Sequence, residues 1–140
     1  MKGGEGVGSK EKLVLETIAT KNAPAAIGPY AQAVKVRARE MLFCSGQIPL
    51  DPATGQPVNG PAAEQAKRVM DNLRAVVEAA GFTMSDVVKT TIYLTDLGAF
   101  GEVNKVYESY FSGSFPARTT VQVAALPRGV AVEVDAVACR

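Results

Sequence analysis

The chain has no histidine in 140 residues, and that absence removes more chemistry than any motif adds. Ser-His-Asp and Cys-His catalysis, paired-imidazole RNA cleavage and the usual histidine-bearing zinc hydrolase site are all excluded. Proton transfer is left to carboxylate, Tyr, Lys, Cys or water. Cysteine is also scarce: Cys44 and Cys139 are far apart, forming neither a secreted disulfide framework nor a spaced set of zinc ligands. That points to a reducing compartment, the cytoplasm. No strong charge bias exists either, since fifteen basic residues against fourteen acidic ones leave a net charge of +1. A nucleic-acid partner is therefore not expected. No apolar run approaches the length of a membrane span, so no membrane association is expected.

What is present fits one compact domain, with 47% hydrophobic and 21% charged residues. Residues 1–12 are rich in Gly and Lys, carry Glu5 and Glu11, and lack an apolar core. They read as a disordered leader rather than a signal or transit peptide, which leaves 13–140 as the single domain. Leu13 to Ala19 reads as a strand entering a loop through Pro24, Gly28 and Pro29 to Tyr30. Residues 32–37 and 41–48 are extended, and Asp51 to Pro61 (DPATGQPVNGP) is a surface loop. Ala62, Ala66, Val69, Met70, Leu73, Val76, Val77 and Ala80 recur at helical spacing, with Gly81 placed to end the helix. A strand is expected over Val87 to Leu94. Asp96 then caps a helix whose stripe is Phe100, Val103, Tyr107, Tyr110 and Phe111. Strands at Arg118 to Ala125 and Val130 to Ala138, joined by a short turn, should pair as a hairpin.

This order predicts an α+β domain in which two helices cover one face of a mixed sheet of about six strands. Alternation assigns Val121, Val123, Val130, Val132, Val134 and Ala136 to the helix side. Thr120, Gln122, Glu133 and Asp135 take the other side. That second face also carries Ala131 and Val137, too apolar for plain solvent, and is expected to meet other copies of the chain.

Several residues could carry chemistry. Arg118 follows Phe115-Pro116-Ala117, so its planar fork sits at a stiffened strand entry and suits a carboxylate; an exposed or internally paired arginine fits the same position. Glu133 lies inside the apolar run VAVEVDAVA, where partial desolvation would let it polarise a water, unless it belongs to a structural ion pair. The hairpin would bring Arg118 and Thr120 close to Glu133. Ser45-Gly46 interrupts the apolar run MLFCSGQI, as either a close-approach site or a bulge. Tyr30 presents a ring or hydroxyl to a pocket, or packs over the sheet. Lys89 reads as a solvated strand residue, and neither cysteine has an activating partner.

The segments NAPAAIGPYAQAV (22–34), CSGQIPLDPATG (44–55), VVKTTIYLTDL (87–97), VNKVYESYF (103–111) and FPARTTVQVAALPRGVAVEVDAVA (115–138) together resemble the RidA/YjgF reactive-intermediate imine deaminases, from about Thr17 to Cys139. The resemblance implies a chorismate-mutase-like α+β fold and a homotrimer with its sheets around a central barrel and active sites in the clefts between subunits. It also implies cofactor-free, metal-free hydrolysis of 2-iminobutanoate and 2-iminopropanoate to 2-oxo acids and ammonia. By the same resemblance Arg118 holds the substrate carboxylate and Glu133 orients the attacking water. Tyr30, Ser45 and Gly46 line the pocket, the Thr120 backbone lies near the imine, and Phe100 and Asn104 sit at the pocket edge. Some members have cysteine where this chain has Thr120, so a mechanism needing a thiol there does not transfer. Two other readings are a non-catalytic module binding small carboxylates, and RNA cleavage or translation inhibition. The missing histidine and near-zero charge weigh against the last.

Overall fold

The computed structural model describes residues 14–140, so the expected leader over 1–12 lies outside the described residues. Among the described residues six strands form: β1 (Val14–Ile18), β2 (Ala33–Arg37), β3 (Met41–Gln47), β4 (Val87–Leu94), β5 (Ala117–Gln122) and β6 (Val132–Cys139). Two α-helices among the same residues, α1 (Ala62–Ala79) and α2 (Phe100–Glu108), complete the α+β architecture. β1 and β2 pair antiparallel as a separate ribbon, while the other four form one mixed sheet in the order β3-β6-β4-β5.

The spacing of apolar residues explains α1. Ala66, Val69, Met70, Leu73 and Val77 are buried on one face, whereas Val76, expected with them, lies on the flank and is exposed. Gly81 adopts φ +84 directly after the helix, the left-handed turn that glycine makes without strain. The first turn of α1 is capped from outside: Glu102 of α2 accepts a hydrogen bond of 2.9 Å from the Ala63 amide, satisfying an otherwise orphan donor.

In β4, Val87, Val88, Thr90, Ile92 and Leu94 are buried, with Ile92 and Leu94 in the core packed by the helices. The strand takes the place between β5 and β6, pairing parallel with the former and antiparallel with the latter. The expected β5-β6 hairpin is therefore incorrect. A parallel β4-β5 pair needs a crossover, which α2 supplies, and the segment after β5, with its 3-10 turn at Pro127–Gly129, carries the chain past β4 to β6. On β6 the expected alternation holds, since Val132, Val134 and Ala136 are buried against the helices. On β5 it is inverted. Thr120 sits beside buried Ile92 on the helix side, while Val121, expected inside, pairs with Tyr93 on the uncovered face and is 37% exposed. The run Thr119-Thr120-Val121 reads equally well in either phase, and the partner strand decides.

The uncovered face carries Phe43 (71% exposed), Met41 (59%) and Val121 beside Glu133 and Asp135. That is the mixture of apolar and acidic groups anticipated for it.

On the covered face, the buried Thr90 hydroxyl and the Tyr107 hydroxyl share a hydrogen bond of 2.7 Å. Thr90→Val strands the phenol and should lower stability by about 1–3 kcal/mol. The double variant Thr90→Val/Tyr107→Phe should recover most of that loss in urea unfolding.

Candidate active site

The chain is bent toward Arg118 from two directions. Gly28 (φ +116) turns the loop, the Tyr30 amide closes back on the Gly28 carbonyl at 2.9 Å, and the Ala31 amide reaches the Pro116 carbonyl at 3.0 Å. Ala31 thereby bridges Ala117 in parallel and sets Tyr30 beside the next strand residue, Arg118. From the other side, α2 presents Phe100, Asn104 and Tyr107, spaced four and then three residues apart and so aligned on one face. The Arg118 Nη1 donates to Asn104 Oδ1 at 2.7 Å. Its guanidinium carbon lies 5.0 Å from the Tyr107 ring, 5.2 Å from Tyr30 and 5.4 Å from Phe100, within cation–π range of all three.

Among the described residues, no carboxylate lies in ion-pair range of Arg118. Burial pulls its pKa below the usual arginine value, with the phenols of Tyr107 and Tyr30 opposing; a guanidinium so placed remains a cation at neutral pH. Burial pushes the Tyr107 phenol up to about 12, so that ring is a neutral wall. The result is a half-buried planar cation whose neighbours are one amide oxygen and three aromatic faces, an arrangement that leaves room for a carboxylate. It opens into a cleft of about 490 Å³ lined by Ile27, Tyr30, Leu97, Phe100, Arg118 and Thr120. The Thr120 hydroxyl oxygen there is buried without a hydrogen-bond partner, a polar atom that a ligand could satisfy.

Glu133 belongs to a different surface. It pairs with Tyr93 on the uncovered face, and its carboxylate lies where a Cβ on Gly46 would be. Only glycine at 46 allows that approach. The Ser45-Gly46 pair is a β-bulge, since the β3-β6 register shifts between Cys44 and Gln47. Burial, and then the neighbouring Asp135, raise the Glu133 carboxyl above its ordinary range. Asp135 is held by the Tyr93 hydroxyl at 2.9 Å and the Thr91 amide at 3.2 Å. Burial raises Cys44 and Cys139 as well, which keeps both thiols protonated and unreactive. Lys89 donates to the Thr119 hydroxyl at 2.9 Å.

The site residues thus fall into two groups. Tyr30, Phe100, Asn104, Arg118 and Thr120 converge on the helix side; Ser45, Gly46 and Glu133 converge on the uncovered side. Arg118 stands opposite Thr90, and Glu133 stands opposite Tyr93 on the far edge of β4. Two strand spacings and three residues of offset put their Cα atoms about 14 Å apart. The expectation that a hairpin would bring Arg118 and Thr120 next to Glu133 is thereby corrected: within one chain they face away from each other. Tyr107, read from sequence only as part of an apolar stripe, is a wall of the Arg118 site. Its spacing from Phe100 and Asn104 was the available signal.

The family model described as Endoribonuclease L-PSP matches residues 20–140. The chain belongs to this family, the RidA/YjgF group. Protein DfrA of Myxococcus xanthus is 58% identical over 127 residues, covering 91% of this chain and 97% of that one. The 2-iminobutanoate/2-iminopropanoate deaminase of Mus musculus is 50% identical over 126 residues, covering 90% and 92%. The crystal structure of the YjgF gene product from E. coli superposes with a TM-score of 0.69 at 48% identity, covering 89% of this chain and 98% of that one. The chorismate-mutase-like α+β fold implied by the sequence resemblance is thus the fold of this RidA/YjgF chain.

The orphan hydroxyl makes a prediction with opposite signs in two assays. Thr120→Val in this RidA/YjgF protein should raise Tm by a few degrees, because a buried unpaired hydroxyl costs about 1–3 kcal/mol. It should also weaken binding of small carboxylates such as 2-oxobutanoate. A rise in Tm with unchanged binding would show that the hydroxyl does not meet the ligand.

Proposed function

We propose that the protein hydrolyses reactive 2-imino acids, 2-iminobutanoate and 2-iminopropanoate, to 2-oxo acids and ammonia, without metal or cofactor, in the cytoplasm. The observation that carries this reading is the half-buried Arg118 guanidinium, held by Asn104 and three rings and lacking a carboxylate of its own. Relatives at about half identity named 2-iminobutanoate/2-iminopropanoate deaminase support the same reading.

Arg118 anchors the substrate carboxylate, and the protonated imine at C2 is already electrophilic. Glu133, with its affinity for a proton raised by burial and by Asp135, accepts a proton from the attacking water. The new C–O bond gives a carbinolamine. Transfer of a proton to nitrogen then breaks the C–N bond, releasing ammonia and leaving the 2-oxo acid. The sum is iminium plus water to ketone plus ammonium, so no redox partner is required.

Because Arg118 and Glu133 face opposite sides of one sheet, this chemistry requires a second copy of the chain. We take the assembly to be a homotrimer in which residues 13–140 of each copy form one domain. The uncovered face of one copy then brings Ser45, Gly46 and Glu133 against the Arg118 cleft of the next. The exposed Phe43 and Met41 supply the apolar area such a contact buries.

Coupled to a threonine dehydratase, the protein should speed conversion of the imine to 2-oxobutanoate. Glu133→Gln should lower that rate by about 100-fold or more while still binding 2-oxobutanoate. Arg118→Lys should chiefly weaken binding, since an ammonium cannot reproduce the bidentate fork. Equal rates with wild type, both variants and no protein would defeat the enzyme reading in favour of a carboxylate-binding module. The shared site has its own test. Chains carrying Arg118→Ala and Glu133→Gln, each inactive alone, should regain about a quarter of the wild-type rate after refolding together, through randomly formed intact interfaces. Asp135→Asn removes the negative charge that raises Glu133, so the acidic limb of the rate profile should move to lower pH.

A further inference from the structure

Two of the most exposed large apolar side chains stand at the mouth of the Arg118 cleft. Ile27 is 86% exposed and Leu97 is 46% exposed, and both line the cleft with Phe100. Single exposed aliphatic residues are ordinary. Here two of them, from segments seventy positions apart, converge on one concavity whose floor holds an anion-seeking arginine.

Neither is loosely held. Leu97 begins a 3-10 turn whose amide donates to the Gln122 side-chain oxygen at 2.8 Å, and the following Gly98 amide donates to Asp96 Oδ1 at 2.8 Å. The loop bearing Ile27 is pinned at both ends. The Gln32 side-chain amide bonds the Pro24 carbonyl, and the Ala31 amide bonds Pro116 at 3.0 Å. Rigid presentation means that a ligand's tail meets a preformed surface, with little ordering cost on binding.

We infer that Ile27 and Leu97 form a side-chain subsite that selects 2-imino acids with longer aliphatic tails. The inference rests on the reading that Arg118 anchors the ligand's carboxylate. With that end fixed at the floor, each added methylene is laid between Ile27, Leu97 and the Phe100 ring instead of in water. The class of substrate favoured is the straight-chain 2-imino acid longer than 2-iminobutanoate. Within one copy, and among the described residues, the cleft lining holds no Asp, Glu, Lys or second Arg, so a charged tail finds no counter-charge beside Ile27 and Leu97.

The test uses the stable 2-oxo products as probes: pyruvate, 2-oxobutanoate, 2-oxopentanoate and 2-oxohexanoate, titrated calorimetrically into the full chain. Affinity should rise about two- to fourfold per methylene in the wild type, the range between half and full burial of each group. In Ile27→Ser/Leu97→Ser the ratio of 2-oxohexanoate to pyruvate affinity should fall close to one, with the molecular mass in solution unchanged. A flat series in the wild type, or a slope surviving in the double variant, overturns the subsite. A changed mass also overturns it, by assigning the two residues to a contact between copies. Arg118→Ala separates the two levels. If pyruvate binds equally without Arg118, the anchoring reading falls and the subsite with it; if binding is lost but the wild-type series is flat, only the subsite falls.

Discussion

A guanidinium held half out of water without a carboxylate is the constraint around which this molecule is arranged. Leaving a charge partly desolvated is unfavourable unless its environment is polar or polarisable. Asn104 answers with one hydrogen bond, and the rings of Tyr30, Phe100 and Tyr107 answer with their electron-rich faces. None of these neutralises the charge. The bonds that hold those groups in place can be followed outward: Tyr107 to buried Thr90, Tyr30 through Ala31 to Pro116, and α2 through Glu102 to the start of α1. Much of the covered side of the sheet therefore acts as the mount for one cation.

The uncovered side is organised by an opposite problem, that of keeping two carboxylates close together. Asp135 is satisfied by the Tyr93 hydroxyl and the Thr91 amide. Glu133 is the one whose proton affinity rises, because it is partly desolvated and sits near a second negative charge. Gly46 completes the arrangement by vacating the space the Glu133 carboxylate occupies. A cation thus lies on one face of the sheet and a carboxylate of raised proton affinity on the other; in the proposed reaction they are the two halves of one site. One polypeptide cannot fold them together when a buried strand stands between.

Much of the fold was legible in the sequence because it rests on periodicity. The α1 stripe from Ala66 to Val77, the Gly81 stop and the inward Val132, Val134 and Ala136 are local patterns read at fixed spacing, whereas Asp96 caps the 3-10 turn Leu97–Ala99 and not the α-helix expected there, whose N-cap is Ala99. The same local logic failed at β5. The run Thr119-Thr120-Val121 has no strong polarity contrast, so its phase depends on which strand lies beside it. A hairpin was expected from the short connection to β6, yet the more apolar β4 took the central position. The residues expected to form the site are divided by the structure between the two faces of the sheet, with Tyr30, Phe100, Asn104, Arg118 and Thr120 on the helix side and Ser45, Gly46 and Glu133 on the other. The site was not legible as a geometry.

By itself, then, the sequence determined which chemistry is open to this protein: no imidazole, no membrane-spanning run, no strong charge bias, one proline-stiffened arginine and one carboxylate in an apolar strand. These follow from residue identity and nearest neighbours, which a linear chain displays directly. Only the tertiary structure decided that the arginine points to the helices and the glutamate away from them. Side chains alternate with a period of two along each strand, so the relative orientation of residues on two strands is set by register across the strand between them. That register is a contact between distant segments, settled when β4 is buried between β5 and β6.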